Sequence, residues 1–190
     1  MRAAREAFDN EGGPWRRLSP RDREKLLRAV ADGIQKRAEE FANLETLNNG
    51  KPLFESKIDV AESISVFQYF AGWPTKLTGN VLPMSAGPFL TYTLREPLGV
   101  VGSIVPWNFP LNMATWHVAP ALAAGNTVVL KPAQQTPMTA LLLAEVMAEA
   151  GFPAGAFNVV PGPGSVAGQA LVQHPGVDKI SFTGSTEVGK

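Results

Sequence analysis

From Gly99 onward, short apolar runs alternate with longer helical stretches, and that rhythm confines the chain to one class of fold. VVGSIVP at 100–106, TVVLKP at 127–132, FNVVPG at 157–162 and DKISFTG at 178–184 have the length and β-branched content of strands. PLNMATWHVAPALAAG, PMTALLLAEVMAEAG and SVAGQALVQHP lie between them and read as helices. Gly125 closes the first; Thr136 caps the second, with Pro137 at its first position and Gly151 after it. Strands separated by helices of this length imply βαβ units and a parallel sheet with right-handed crossovers. The strands are nearly continuous apolar runs, as helices on both faces require. STEVGK reads as the opening turn of another helix, where the chain stops, so a fragment is expected.

Two amphipathic helices are expected ahead of this region. Ser19-Pro20 with Asp22 is an N-terminal cap signature, and Leu26, Leu27, Val30, Ile34, Phe41, Leu44 and Leu47 recur at helical spacing until Gly50. A second helix is expected from Phe54 to Leu77, with Ile58, Ile64, Phe67 and Phe70 on its apolar side. Residues 79–97 are broken by Pro83, Gly87 and Pro88, and PFLTYTLREP has strand character, so a hairpin or extended arm fits.

Composition removes several functions. Lys plus Arg and Asp plus Glu both number 17, leaving no electrostatic reason to expect nucleic acid or an anionic membrane as a partner. No run of 18 apolar residues exists, and MRAAREAFDNEGG lacks the apolar stretch of a secretory signal, so the cytoplasm is the default compartment. The chain has no cysteine, hence neither disulfides nor thiolate metal sites. His117 and His174 belong to no ligand cluster or nucleophile context, so no metal is expected. Glu145 and Glu149, four apart, read as a solvated helix face.

Ligands of open α/β sheets bind beyond the carboxyl ends of the strands. The residues following each expected strand are Pro106-Trp107-Asn108-Phe109-Pro110, Lys131-Pro132, Gly162-Pro163-Gly164 and Thr183-Gly184-Ser185. Polar, glycine and aromatic residues thus converge on one sheet edge, which suits a nucleotide. GSTEVG is not the GxGxxG or Lys-containing phosphate loop; it is either an anion site or an ordinary strand-to-helix turn. Lys131 is either a ribose or phosphate donor or a solvated lysine. Asn108 is either an oxyanion donor or a turn-forming residue. Met113 and Trp116, three apart, line an apolar channel or pack in the core.

PWNFP, APALAAGNTVVLKPAQQTP, EAGFPAGAFNVVPGPG and HPGVDKISFTGSTEVG resemble, in order and spacing, the NAD(P)-dependent aldehyde dehydrogenase superfamily, and LETLNNGKP and FAGW are similar too. Within it the chain looks most like the broad group acting on betaine aldehyde, retinal or simple aliphatic and aromatic aldehydes. The resemblance implies a Rossmann-like α/β fold in three parts: an N-terminal helical part of the cofactor domain at 1–78, an oligomerisation-type arm at 79–97, and an incomplete βαβ dinucleotide-binding part at 98–190. It implies that Asn108 stabilises the oxyanion. Ile104, Pro106, Trp107, Lys131, Gln134, Gly164, Phe182, Gly184, Ser185 and Val188 would contact NAD, and Phe109, Met113 and Trp116 the mouth of an aldehyde tunnel. It also implies a homodimer or homotetramer of the full-length protein.

Two departures qualify this. Gln134 stands where such enzymes usually carry glutamate; a neutral amide repels a 2′-phosphate less, so NADP is possible. The family's nucleophilic cysteine and general-base glutamate lie downstream of GSTEVG, and the family's usual N-terminal segment is missing too, so a fragment inactive alone is expected. The alternative is a truncated, non-catalytic nucleotide-binding module or pseudoenzyme; a purely structural α/β domain requires the lysine and glycine placements to be coincidence.

Overall fold

A computed structural model describes residues 1–190. Its first helix, α1 (Arg2–Asp9), which is not among the helices expected from the sequence, fully buries only Ala4, with Ala7 and Phe8 at helical spacing packed against the core beside it. Helix α2 (Pro20–Lys36) opens as its residues dictate: the Asp22 N–H donates to Ser19 Oγ at 3.2 Å and Pro20 takes the first helical position. The single helix expected up to Gly50 is two, because Arg37 leaves helical geometry (φ −107°, ψ 21°) and α3 follows over Ala38–Asn49. Hydrophobic period reports which face is buried, not whether the axis continues, so Leu27, Val30, Ile34 and Phe41 all reach the core across the break. Arg37 ties the corner through Glu40, Glu145 and Glu149. Leu47 and Ile58, expected on apolar faces, are 83% and 58% exposed. Helix α4 spans Leu53–Ala71 and stops short of Leu77; Pro74 disfavours helical geometry in the residue before it.

The 79–97 arm is a hairpin in which β1 (Val81–Leu82) pairs antiparallel with β2 (Thr91–Tyr92). Val81, Phe89, Leu90 and Leu94 on it are exposed. Beyond it lie β3 (Val100–Ile104), α5 (Pro110–Ala123), β4 (Thr127–Lys131), α6 (Met138–Glu149), β5 (Phe157–Val159), a π-helical turn at Gly164–Gly168 running into α7 (Gln169–Gln173), and β6 (Lys179–Phe182). The four strands form the expected parallel sheet, in the order β5-β4-β3-β6. Successive residues alternate between its faces. Val101, Val128 and Leu130 join the main core with α2, α4, α5 and α6, whereas Val100 and Val129 turn toward Ala4 of α1 and Leu171 of α7. At Gly102 an added Cβ would lie 3.1 Å from Leu171 Cγ and 2.9 Å from Ile180 Cδ1, so the glycine is what lets α7 approach the sheet.

Three local expectations fail for identifiable reasons. Thr136 does not cap α6: its Oγ1 is buried without a partner, Pro137 sits at the cap position, and the cap comes from another helix, with Asn48 Oδ1 accepting the Met138 N–H at 3.0 Å. The helix expected over SVAGQALVQHP begins as a π turn and is α-helical for five residues only. STEVGK forms one hydrogen-bonded turn and no helix; the Val188 and Gly189 N–H groups donate to Ser185 Oγ and O at 3.4 and 3.1 Å.

Candidate functional site

The strand order locates the site. The chain enters the sheet at β3, winds outward through β4 and β5, then returns to the opposite side of β3 as β6, so the direction of winding reverses between β3 and β6. Loops leaving the two strands diverge there and open a crevice, which is where doubly wound sheets bind nucleotides. In register, Ile104 faces Lys131 on one side and Phe182 on the other. Three expected cofactor residues therefore end three adjacent strands in one row, and neighbouring strands are about 4.8 Å apart. Asn108 follows β3 and Gly184-Ser185 follow β6, on the two lips of the crevice.

Lys131 is buried rather than solvated, and it forms no ion pair. Burial holds its ammonium below the usual lysine range. A desolvated cation without a counter-charge at the mouth of a crevice suits an anionic or polyhydroxylated ligand. On the opposite lip, the N–H groups of Gly184, Ser185, Thr186 and Glu187 have no acceptor in the chain. Gly184, Ser185 and Thr186 line a shallow depression of about 350 Å³ with Phe182. The Phe182 ring lies over Gly184, where a Cβ would collide with it. Gly164 has open space on its Cβ side, with nothing within 4 Å, and Gln134 and Val188 are exposed. A cation, free backbone donors and an uncrowded glycine turn fit a dinucleotide.

Asn108 is exposed between the exposed Trp107 and Phe109, while Ile104 and Pro106 are half-buried. Along α5, Trp116 is 53% exposed, whereas Met113 packs against the core. Phe109 and Trp116 are thus more exposed than Met113, and Trp116 lines a cavity of about 350 Å³ with Val101, His117, Asn126 and Lys179, toward the starting ends of the strands.

Several residues here escaped sequence reasoning. His117 Nε2 lies 2.7 Å from Thr183 Oγ1 and joins α5 to the turn after β6. Its Nδ1 is buried without a partner, and burial pushes its pKa down, against a smaller opposing contribution from the Ser181 backbone. Below the Asn108 loop lies an ionic cluster. Lys51 pairs with Asp59, is 4.0 Å from Glu45, and sits 4.4 Å from the centroid of the Phe109 ring. Glu45 Oε2 accepts the Thr139 hydroxyl at 2.7 Å and Oε1 accepts the Leu111 N–H at 3.3 Å. Burial pushes the Glu45 carboxyl above the usual range, opposed by these hydrogen bonds and by Lys51. One signal for the cluster was present: Glu45 stands four residues after Phe41, a carboxylate in phase with the apolar face of α3.

A sequence model described as the aldehyde dehydrogenase family matches residues 1–190. The chain is 57% identical to phenylacetaldehyde dehydrogenase of Pseudomonas fluorescens over 93% of its length, and 48% identical to retinal dehydrogenase 2 of Homo sapiens over 100% of it. It covers 36% of each of those proteins, so it spans a little over a third of the curated relatives it matches. The structure superimposes on that of an aldehyde dehydrogenase from Bacillus cereus in complex with NAD⁺ with a TM-score of 0.95 and 48% identity, covering 99% of this chain and 38% of that one.

Proposed function

Because this chain belongs to the aldehyde dehydrogenase family, we propose that its sheet edge is the NAD cradle of an enzyme oxidising an aldehyde to a carboxylate, with Asn108 as the oxyanion donor. One observation carries this reading: Lys131, Ile104 and Phe182 end adjacent strands in one row at the point where the winding reverses, with Asn108 on the neighbouring lip. Lys131 would bond the adenosine ribose, and Gly164 would leave room for the adenine side. The free N–H groups at 184–187 would take the pyrophosphate, with Phe182, Ser185 and Val188 shaping that turn. Ile104, Pro106 and Trp107 would flank the nicotinamide end. NAD bound there supplies a hydride acceptor.

The residues of this chain then perform orientation and charge stabilisation. The Asn108 amide is exposed and unpaired, so its N–H is free to donate to an oxygen that gains negative charge when a nucleophile adds to the aldehyde. Phe109 and Trp116, with Met113 behind them, form an apolar approach for the aldehyde. The chain contains no cysteine, so the thiolate that the family resemblance calls for comes from outside these 190 residues. Gln134, neutral and exposed, tolerates a 2′-phosphate better than a carboxylate, which makes NADP an acceptable second cofactor. The apolar hairpin at 79–97 fits an arm that a second copy of the full-length protein covers in a dimer or tetramer. No helix is long and apolar enough to cross a membrane, and a cytoplasmic enzyme is the reading adopted.

The test is Asn108→Ala in the full-length enzyme. Loss of one oxyanion donor lowers kcat by about 10²–10³-fold, with NAD affinity unchanged. A kcat within about threefold of the parent removes Asn108 from the chemistry. If the full-length protein binds NAD but turns over no aldehyde, the non-catalytic module is the correct alternative.

A further inference from the structure

We propose that Asn49 and Lys51 are positioning residues that aim Asn108, an inference that rests on the oxyanion reading above. The Asn108 side chain is exposed and has no hydrogen-bond partner in the chain, so its amide is aimed by its backbone and the rotamers that backbone allows. That backbone is gripped on both sides from one short segment at the end of α3. Asn49 Nδ2 donates to the Trp107 carbonyl at 2.6 Å. This carbonyl belongs to the peptide plane that carries the Asn108 nitrogen, so Asn49 fixes the plane from which Asn108 departs. Lys51 holds the face of the Phe109 ring, and Glu45 holds the Leu111 N–H. Residues 107, 109 and 111 are therefore held by residues 49, 51 and 45, while residue 108 is left free to meet a ligand.

The grip is rigid because its base is buried. The Glu45 and Lys51 side chains are 0% and 7% exposed. Lys51 is further fixed by Asp59 of α4, and Glu45 by Thr139 of α6. Gly50 makes the connection possible: its left-handed φ of 88° ends α3 with a hydrogen bond to Thr46 O and turns Lys51 back beneath the loop. A buried ionic group is a weak device for stability, since apolar residues of similar volume serve as well or better. Holding a catalytic loop within a fraction of an ångström is a task that buried, hydrogen-bonded supports perform well.

The proposal separates from a purely structural role by a double-mutant cycle in the full-length enzyme. Asn49→Ala lowers kcat by about 10–100-fold, with NAD affinity and thermal midpoint unchanged. In an Asn108→Ala background the same change lowers kcat by less than about twofold, because its effect passes through Asn108. An equal loss in both backgrounds, or no loss in the parent, overturns the proposal. A parent insensitive to Asn108→Ala instead overturns the oxyanion reading. A second readout needs no turnover: in amide NMR spectra of the 190-residue chain, Asn49→Ala moves the Asn108 side-chain and backbone signals and leaves those of Gly184 and Ser185 in place. Unmoved Asn108 signals refute it.

Discussion

Replacing Lys51 by methionine removes the cation from between two buried carboxylates, Glu45 and Asp59, whose side chains are 0% and 6% exposed. Breaking a buried ion pair by deleting one partner costs about 3–5 kcal/mol. Glu45 has an escape, because burial already biases it toward its neutral form and protonation relieves the repulsion. The loss at pH 7 therefore falls near the lower end, about 3 kcal/mol. With a urea slope of about 2–3 kcal/mol per M, the unfolding midpoint drops by about 1–1.5 M. In the variant the folded Glu45 carboxyl, already raised by burial and now without Lys51, is harder to ionise than in the unfolded chain, so the folded state binds more protons. Stability then falls as pH rises from the unfolded carboxylate range of about 4. The variant is consequently nearest the parent at pH 4.5 and furthest at pH 7, and Asp59→Asn added to it restores about half of the loss. Urea unfolding followed by circular dichroism at both pH values reads this. A loss under about 1 kcal/mol, or one independent of pH, refutes the buried-triad description.

Two further outcomes follow from the site. His117 is neutral in the fold because burial depresses its pKa; below pH 6.5 the unfolded chain takes up a proton that the folded chain refuses, so this contribution is present above that pH and is lost as pH falls. His117→Gln therefore flattens the fall in unfolding midpoint between pH 7 and 5, and an unchanged slope contradicts the assignment. Gln134→Glu in the full-length enzyme shifts the preference toward NAD by weakening NADP, by about tenfold for one added like charge near the 2′-phosphate; an unmoved NADP/NAD ratio of kcat/KM removes Gln134 from the cofactor site.

The sheet was legible in the sequence because its signals are local. Each strand is an apolar run bounded by glycine or proline, and Ser19, Pro20 and Gly50 mark helix ends by their own chemistry. The sheet edge was legible too, since chain order alone puts Asn108, Lys131 and Ser185 after strands. What escaped depends on partners distant in sequence. Thr136 looked like a cap, but the Met138 N–H is taken by Asn48. Lys131 was as consistent with a solvated lysine until neighbouring elements buried it. Glu45, Asn49 and Lys51 of LETLNNGKP carry no legible role in the sequence, because their partners Trp107, Phe109 and Leu111 lie about sixty residues on. The kink at Arg37 escaped because both helices keep the same buried phase.

NAD binding at this sheet edge is measured by calorimetric titration of the 190-residue chain with NAD⁺, run beside Lys131→Met. One saturable site is expected, weakened about tenfold or more in the variant by loss of a charge-assisted hydrogen bond. No saturable binding, or binding indifferent to Lys131, contradicts it.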